Sequence, residues 1–177
     1  MRLSITSLRS WNKSWKDSNH EDCRGFISID CICHPWQLDL LPQIFAEIHI
    51  PQAVGDEISA PGKPHARRLK EFSEGKIIAV QNRLAVNVLA NEIDLGEAET
   101  IACALENGID NVLIDDTKGR KAAQRNNLHA IGTIGVLLQA KKLGHVEAIK
   151  PSLDKLISEK IRNGKIRIFN STLGGKP

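Results

Sequence analysis

The sequence predicts an α/β layered fold around a mainly parallel sheet, and two observations carry that expectation. From residue 37 onward, stretches with helical spacing of apolar residues alternate with short apolar runs, the order in which strands and crossover helices follow one another in parallel sheets. No internal repeat and no obvious linker divides the 177 residues, so one domain with a sizeable core is expected. In such sheets, functional groups collect at the carboxyl ends of the strands.

The elements follow in order. Leu38, Leu40, Leu41, Ile44 and Phe45 recur at helical spacing, and Ile48-His49-Ile50 then reads as a short strand. Pro51 suits the first turn of a second helix carrying Val54, Glu57 and Ile58, which stops before Pro61-Gly62-Lys63-Pro64. Residues 65–74 form a polar surface helix, and Ile77-Ile78-Ala79-Val80 a compact strand after Gly75. Asp94-Leu95-Gly96 leads into a helix with Ile101, Ala102, Ala104 and Leu105 along its buried stripe. Gly108 is placed to end it in a left-handed turn. Val112-Leu113-Ile114 is a buried strand that runs directly into Asp115-Asp116. A basic helix over residues 118–127 follows, then a strand around Ala130-Ile131 and a helix opened by Gly132-Thr133-Ile134-Gly135. A helix over residues 151–162, with Leu153, Leu156, Ile157 and Ile161 on one face, leads to a final strand, Ile166-Arg167-Ile168-Phe169.

Composition excludes several classes. With 41% hydrophobic and 25% charged residues the chain is neither a disordered nor a disulfide-built protein. No run approaches the roughly 18 apolar residues of a membrane-spanning helix. The formal charge of +3 is too small to point to a nucleic-acid partner by itself. No export signal is evident, so a cytoplasmic protein with reduced thiols is expected.

One anomaly stands out. Trp11, Trp15 and Trp36 are all the tryptophans of the chain, and Cys23, Cys31 and Cys33 are three of its four cysteines, all within residues 1–36. Together with His20 and His34 these cysteines bring zinc to mind, but the spacings H-x2-C and C-x-C-H fit no ordinary zinc template.

The chemistry-bearing residues are carboxylates: Glu57 late in one helix, Glu97 and Glu99 at the start of another, Asp115 and Asp116 after a strand. Clustered carboxylates are hard oxygen ligands suited to Mg²⁺ or Mn²⁺, and such ions can activate water against a phosphodiester. Blander roles compete with that one. Glu97 and Glu99 can complement the positive end of their helix, and Asp115 or Asp116 can cap the helix that follows. No P-loop and no G-x-S-x-G elbow is present.

Four blocks in the same order, IPQAVGDEI, DLGEAETIACALENG, VLIDDTKGRKAA and IGTIGVLLQAKKLG, resemble the DUF3368 family of PIN-like proteins, relatives of toxin-type ribonucleases. The resemblance covers about residues 37–170. It implies a Rossmann-like α/β/α fold and an endoribonuclease centre of acidic residues dependent on Mg²⁺ or Mn²⁺. Many relatives are the toxin half of a toxin–antitoxin pair, so RNA, a small antitoxin protein and a second copy of the chain are the implied partners. Carried over, Glu57, Glu99 and Asp116 become the catalytic carboxylates, with Glu97 and Asp115 as further metal ligands. Lys118, Arg120, Lys121 and Arg125 form a basic helix suited to RNA phosphates; a solvated surface is their bland alternative.

Family members open with a strand ending in D-S-S-P-L-I, whose Asp is a central metal ligand. Phe26-Ile27-Ser28-Ile29-Asp30 imitates a strand ending in an aspartate, but only six residues separate Asp30 from Gln37, too few for the helix that should follow. Permitted codons for residues 20–36, read one base downstream, can give M-K-I-V-V-D-S-S-P-L-I-A-S-A-I-H-G, the expected motif with a helix of the right length. Residues 1–36 are therefore expected to be an atypical segment, translated out of frame, ahead of a PIN-like domain over residues 37–177. The first strand is expected to be atypical or missing and catalysis impaired. The alternative is a non-catalytic protein that binds nucleic acid or an antitoxin.

Overall fold

The computed structural model describes residues 23–28, 35–60 and 65–162. It contains a five-stranded parallel sheet. β1 (Arg24–Ile27), β2 (Glu47–Pro51), β3 (Ile77–Ile78), β4 (Asn111–Leu113) and β5 (His129–Ile131) take the order β3-β2-β1-β4-β5. Every pairing is parallel: Phe26 stands beside His49 on one side and Val112 on the other, and Val112 in turn beside Ala130. The helices are α1 (Pro35–Ile44), α2 (Gln52–Ile58), α3 (Ala66–Ser73), α4 (Arg83–Leu89), α5 (Leu95–Asn107), α6 (Thr117–Arg125), α7 (Thr133–Lys142) and α8 (Ile149–Arg162).

Alternation along the strands sorts the core into two layers, because successive side chains leave a strand on opposite faces. On one face Ile27, Ile48, Ile50, Leu113 and Ile131 meet Leu38, Leu41 and Ile44 of α1, Val54 and Ile58 of α2, and Val136 and Ala140 of α7. On the other, Phe26, Val112, Ile114 and Ala130 meet Val86 of α4, Ala98, Ile101 and Ala102 of α5, and Ala122 and Ala123 of α6. The sheet is thus covered on both sides, as an all-parallel sheet requires.

A first strand is present, and it is atypical. Arg24–Ile27 lies in the middle of the sheet, although its sequence does not match the expected motif. Gly25 fits there because Phe45 and Leu113 leave little room: a Cβ would lie 3.2 Å from the Phe45 ring and 3.4 Å from Leu113. Ser28 continues the pairing, its N–H donating to the Leu113 carbonyl at 2.9 Å.

The other differences are local. Pro51 ends β2 and caps α2, one position ahead of the first-turn place expected for it. The strand expected over residues 77–80 pairs only at Ile77 and Ile78. α4 is not marked by the sequence, because Leu84 and Val88 face solvent while Val86 is buried, so apolar residues on all sides single out no stripe. Gly108 does end α5 in the left-handed conformation, with φ of 61°. Asp30, Cys31, Cys33, His20, His34, the 61–64 breaker and the final strand at 166–169 lie outside the described residues. Among the described residues no helix is long and apolar enough to cross a membrane.

Candidate functional site

The carboxyl edge of the sheet gathers most of the chain's chemistry. There α5, which packs against β1, β2 and β4, brings its first turn to Ala53, just past β2, and to Gly119, just past β4. Asp94 opens that helix, its Oδ1 accepting from the Glu97 N–H at 2.8 Å. Glu97 and Glu99 are both buried, at 3% exposure. Two residues apart on a helix, they cannot face the same way.

Glu99 turns toward α2 and α4. Its Oε2 accepts from the Ala53 N–H at 2.7 Å, satisfying a first-turn donor that α2 cannot pair itself. Its Oε1 accepts from Arg83 Nη1 at 2.6 Å in an ion pair. Glu97 turns toward α6 instead. A Cβ on Gly119 would lie 2.5 Å from the Glu97 carboxyl carbon, so the absence of a side chain at 119 makes room for this carboxylate.

Asp116 is the N-cap of α6. Its Oδ2 accepts from the Lys118 N–H at 2.6 Å and the Gly119 N–H at 3.3 Å. Glu97 and Asp116 therefore meet at one glycine, the first over its α-carbon and the second on its N–H. Asp115 does the same service for α7. Its Oδ1 accepts from the Thr133 N–H at 2.8 Å and its Oδ2 from the Thr133 hydroxyl at 2.6 Å. Gly132, the N-cap of α7, has no side chain to cap with, so a carboxylate from the neighbouring strand end replaces it.

The remaining expected residues are more dispersed. Glu57 lies in the last turn of α2 and is exposed. Lys118 and Lys121 are exposed and Arg120 is half-buried, beside Gly132. Arg125, at the far end of α6, pairs with Glu92. Arg83 was missed by sequence reasoning. Its only sequence signal is Asn82, a helix-capping residue type just ahead of it; in the structure the Asn82 Oδ1 accepts from the Ala85 N–H at 3.0 Å.

Ser28 marks the end of β1. It is buried, at 1% exposure, and among the described residues its hydroxyl has no hydrogen-bond partner. By strand alternation it shares the face of Phe26, the side covered by α5. At the strand end where the family resemblance implies a carboxylate, the described chain offers a neutral hydroxyl.

These contacts decide how well a divalent cation is accommodated. Among the described residues no three His, Cys, Asp or Glu side chains converge on a point that would hold a metal ion. Glu99 and Asp115 direct both carboxylate oxygens at protein donors, and Asp116 directs one. The described donors do not fit a cation as they stand.

Cys103 lies one turn beyond Glu99 on α5 and is fully buried. Desolvation, then the negative charges of Glu106 and Glu99, push its thiol from the ordinary 9.0 up to about 12, with Arg83 opposing. The folded state holds a proton that the unfolded chain releases. Its contribution is therefore intact below pH 9 and is lost as pH rises from there toward 12. Stability measured by urea unfolding is expected to fall across that window in wild type and to fall less in Cys103→Ala. Equal alkaline losses would contradict the assignment.

Sequence comparison agrees with this architecture. A family profile described as DUF3368, PIN domain, matches residues 35–170 and so begins after β1. No curated protein and no solved structure matches the chain. A parallel α/β/α sheet, acidic residues at its carboxyl edge and a match over most of the chain lead to one conclusion: this chain belongs to the DUF3368 family of PIN domains.

Proposed function

We propose that this chain is a PIN-domain protein of endoribonuclease descent that binds RNA at the carboxyl edge of its sheet and is impaired in cutting it. The observation that carries the reading is the state of the acidic edge. Glu97 and Asp116 lie together at Gly119, whereas β1 is followed by the buried Ser28 hydroxyl, without a hydrogen-bond partner among the described residues, and Glu99 and Asp115 are engaged by protein donors. Lys118, Arg120 and Lys121, on the helix that Asp116 caps, supply the positive charge that a phosphodiester backbone needs.

In this reading residues 1–36 are the atypical segment, and the PIN-like domain over residues 37–177 uses Arg24–Ile27 as a substitute first strand. Glu97 and Asp116 remain the pair nearest to a cation site. Glu99 and Asp115, held by protein donors, lie along the same edge, and Glu57 is the exposed carboxylate on the last turn of α2. A toxin ancestry, with a small antitoxin as partner, belongs to the same proposal.

The test compares two proteins on a labelled single-stranded RNA with Mg²⁺ or Mn²⁺. One is the present chain; in the other, residues 20–36 are replaced by M-K-I-V-V-D-S-S-P-L-I-A-S-A-I-H-G. The present chain is expected to bind RNA in a salt-sensitive way with little cleavage. The restored chain is expected to cleave, and its Asp116→Asn variant to lose cleavage. Equal cleavage by both chains, or none by the restored chain, would overturn the reading.

A further inference from the structure

A buried carboxylate needs compensation for the hydration it has lost. The Glu99 side chain is 4% exposed, and its compensation comes from within the chain: the Ala53 N–H at 2.7 Å and the Arg83 guanidinium at 2.6 Å. The arrangement is built rather than incidental. Glu106, on the same helix as Glu99, accepts from the Gln81 N–H at 3.0 Å and from the Asn82 N–H, which fixes the backbone just ahead of Arg83. Asn82 caps the helix that Arg83 begins. The root of the arginine is thereby tied at two points to the neighbourhood of its carboxylate.

The two partners differ in exposure. Glu99 is inside, while the Arg83 side chain is 59% exposed. A guanidinium in that position is readily rehydrated, so the cost of its leaving falls on the carboxylate, which stays buried and needs another positive charge. A divalent ion and a guanidinium on one carboxylate repel each other, so each weakens the hold of the other and the arrangement favours one at a time. We propose that Arg83 is the resident cation of Glu99, and that a divalent ion engages Glu99 only by displacing it. The proposal concerns the same acidic edge as the function above but does not require RNA to bind there.

The experiment uses the full chain and Mn²⁺ alone, followed by calorimetric titration and by thermal melts with Mn²⁺ or with chelator. Arg83→Gln is expected to melt lower than wild type in chelator and to be restored by Mn²⁺. It should bind Mn²⁺ about tenfold more tightly than wild type, a coupling of ordinary size. Arg83→Lys keeps the charge but loses the planar fork, so its gain should be smaller and in the same direction. It carries the comparison if Arg83→Gln does not fold. Arg83→Gln combined with Glu99→Gln should lose the gain. A merely structural arginine would lower the melting temperature and leave the Mn²⁺ affinity unchanged, which would overturn the proposal. So would a gain that survives the loss of Glu99. RNA binding does not enter the readout, so failure here and failure of the proposed function are separable.

Discussion

Phe26→Ala is expected to destabilise the protein by about 4 kcal/mol, the usual cost of deleting a fully buried aromatic ring. Phe26 has no exposed surface and sits on the central strand, with β2 on one side and β4 on the other. Its ring lies 5.1 Å from that of His49 and packs into the layer of α5 and α6. For a chain of this size the loss corresponds to a fall in melting temperature of roughly 8–16 °C. It is also a large share of the roughly 5–15 kcal/mol by which ordinary domains are stable. The prediction bears directly on the anomalous segment, because only its position in the sheet gives this phenylalanine such weight. Arg24→Ala, on the same strand but exposed, is the control and should stay within about 0.5 kcal/mol of wild type. If Phe26→Ala melted like Arg24→Ala, residues 24–27 would not be the central strand.

Gly119→Val carries the second large effect, about 3 kcal/mol from overpacking. The added Cβ would stand 2.5 Å from the Glu97 carboxylate, which is buried and cannot simply turn into water. Helix propensity argues the other way, since a glycine inside a helix costs about 1 kcal/mol relative to alanine. A net loss in Gly119→Ala would therefore show that the carboxylate, and not the backbone, dictates this position. Glu97→Ala should relieve Gly119→Val, and a double-mutant cycle in urea should return a coupling of about 1 kcal/mol or more. Strict additivity would mean that Glu97 does not lie over Gly119.

Much of the fold was legible in the sequence from residue 37 onward, because periodicity and punctuation are local. The start of α5 after Asp94, its Ile101, Ala102 and Ala104 stripe and its Gly108 stop are written within fifteen consecutive residues, and the structure realises them; Leu105, expected on the same stripe, is instead exposed. The Leu113-to-Asp116 junction was equally clear, an apolar run broken by carboxylates. α4 was not legible, since exposed Leu84 and Val88 alternate with buried Val86 and blur its one buried face. The family resemblance pointed to the acidic edge. It could not foresee that Glu99 would be held by Arg83 or that Asp115 would cap α7.

The sequence by itself determined the order and type of most elements from residue 37 onward, Asp116 as a candidate helix cap, and the membership of a PIN family, all of which rest on residues near one another along the chain. Only the tertiary structure decided what the carboxylates touch. Glu99 finds the Ala53 N–H 46 residues away and Asp115 finds Thr133 18 residues away, separations at which no local pattern speaks. It also decided that Arg-Gly-Phe-Ile becomes the middle strand. A gap between β2 and β4 needs backbone partners and an apolar residue on each face. Phe26 and Ile27 meet that need whatever reading frame wrote them.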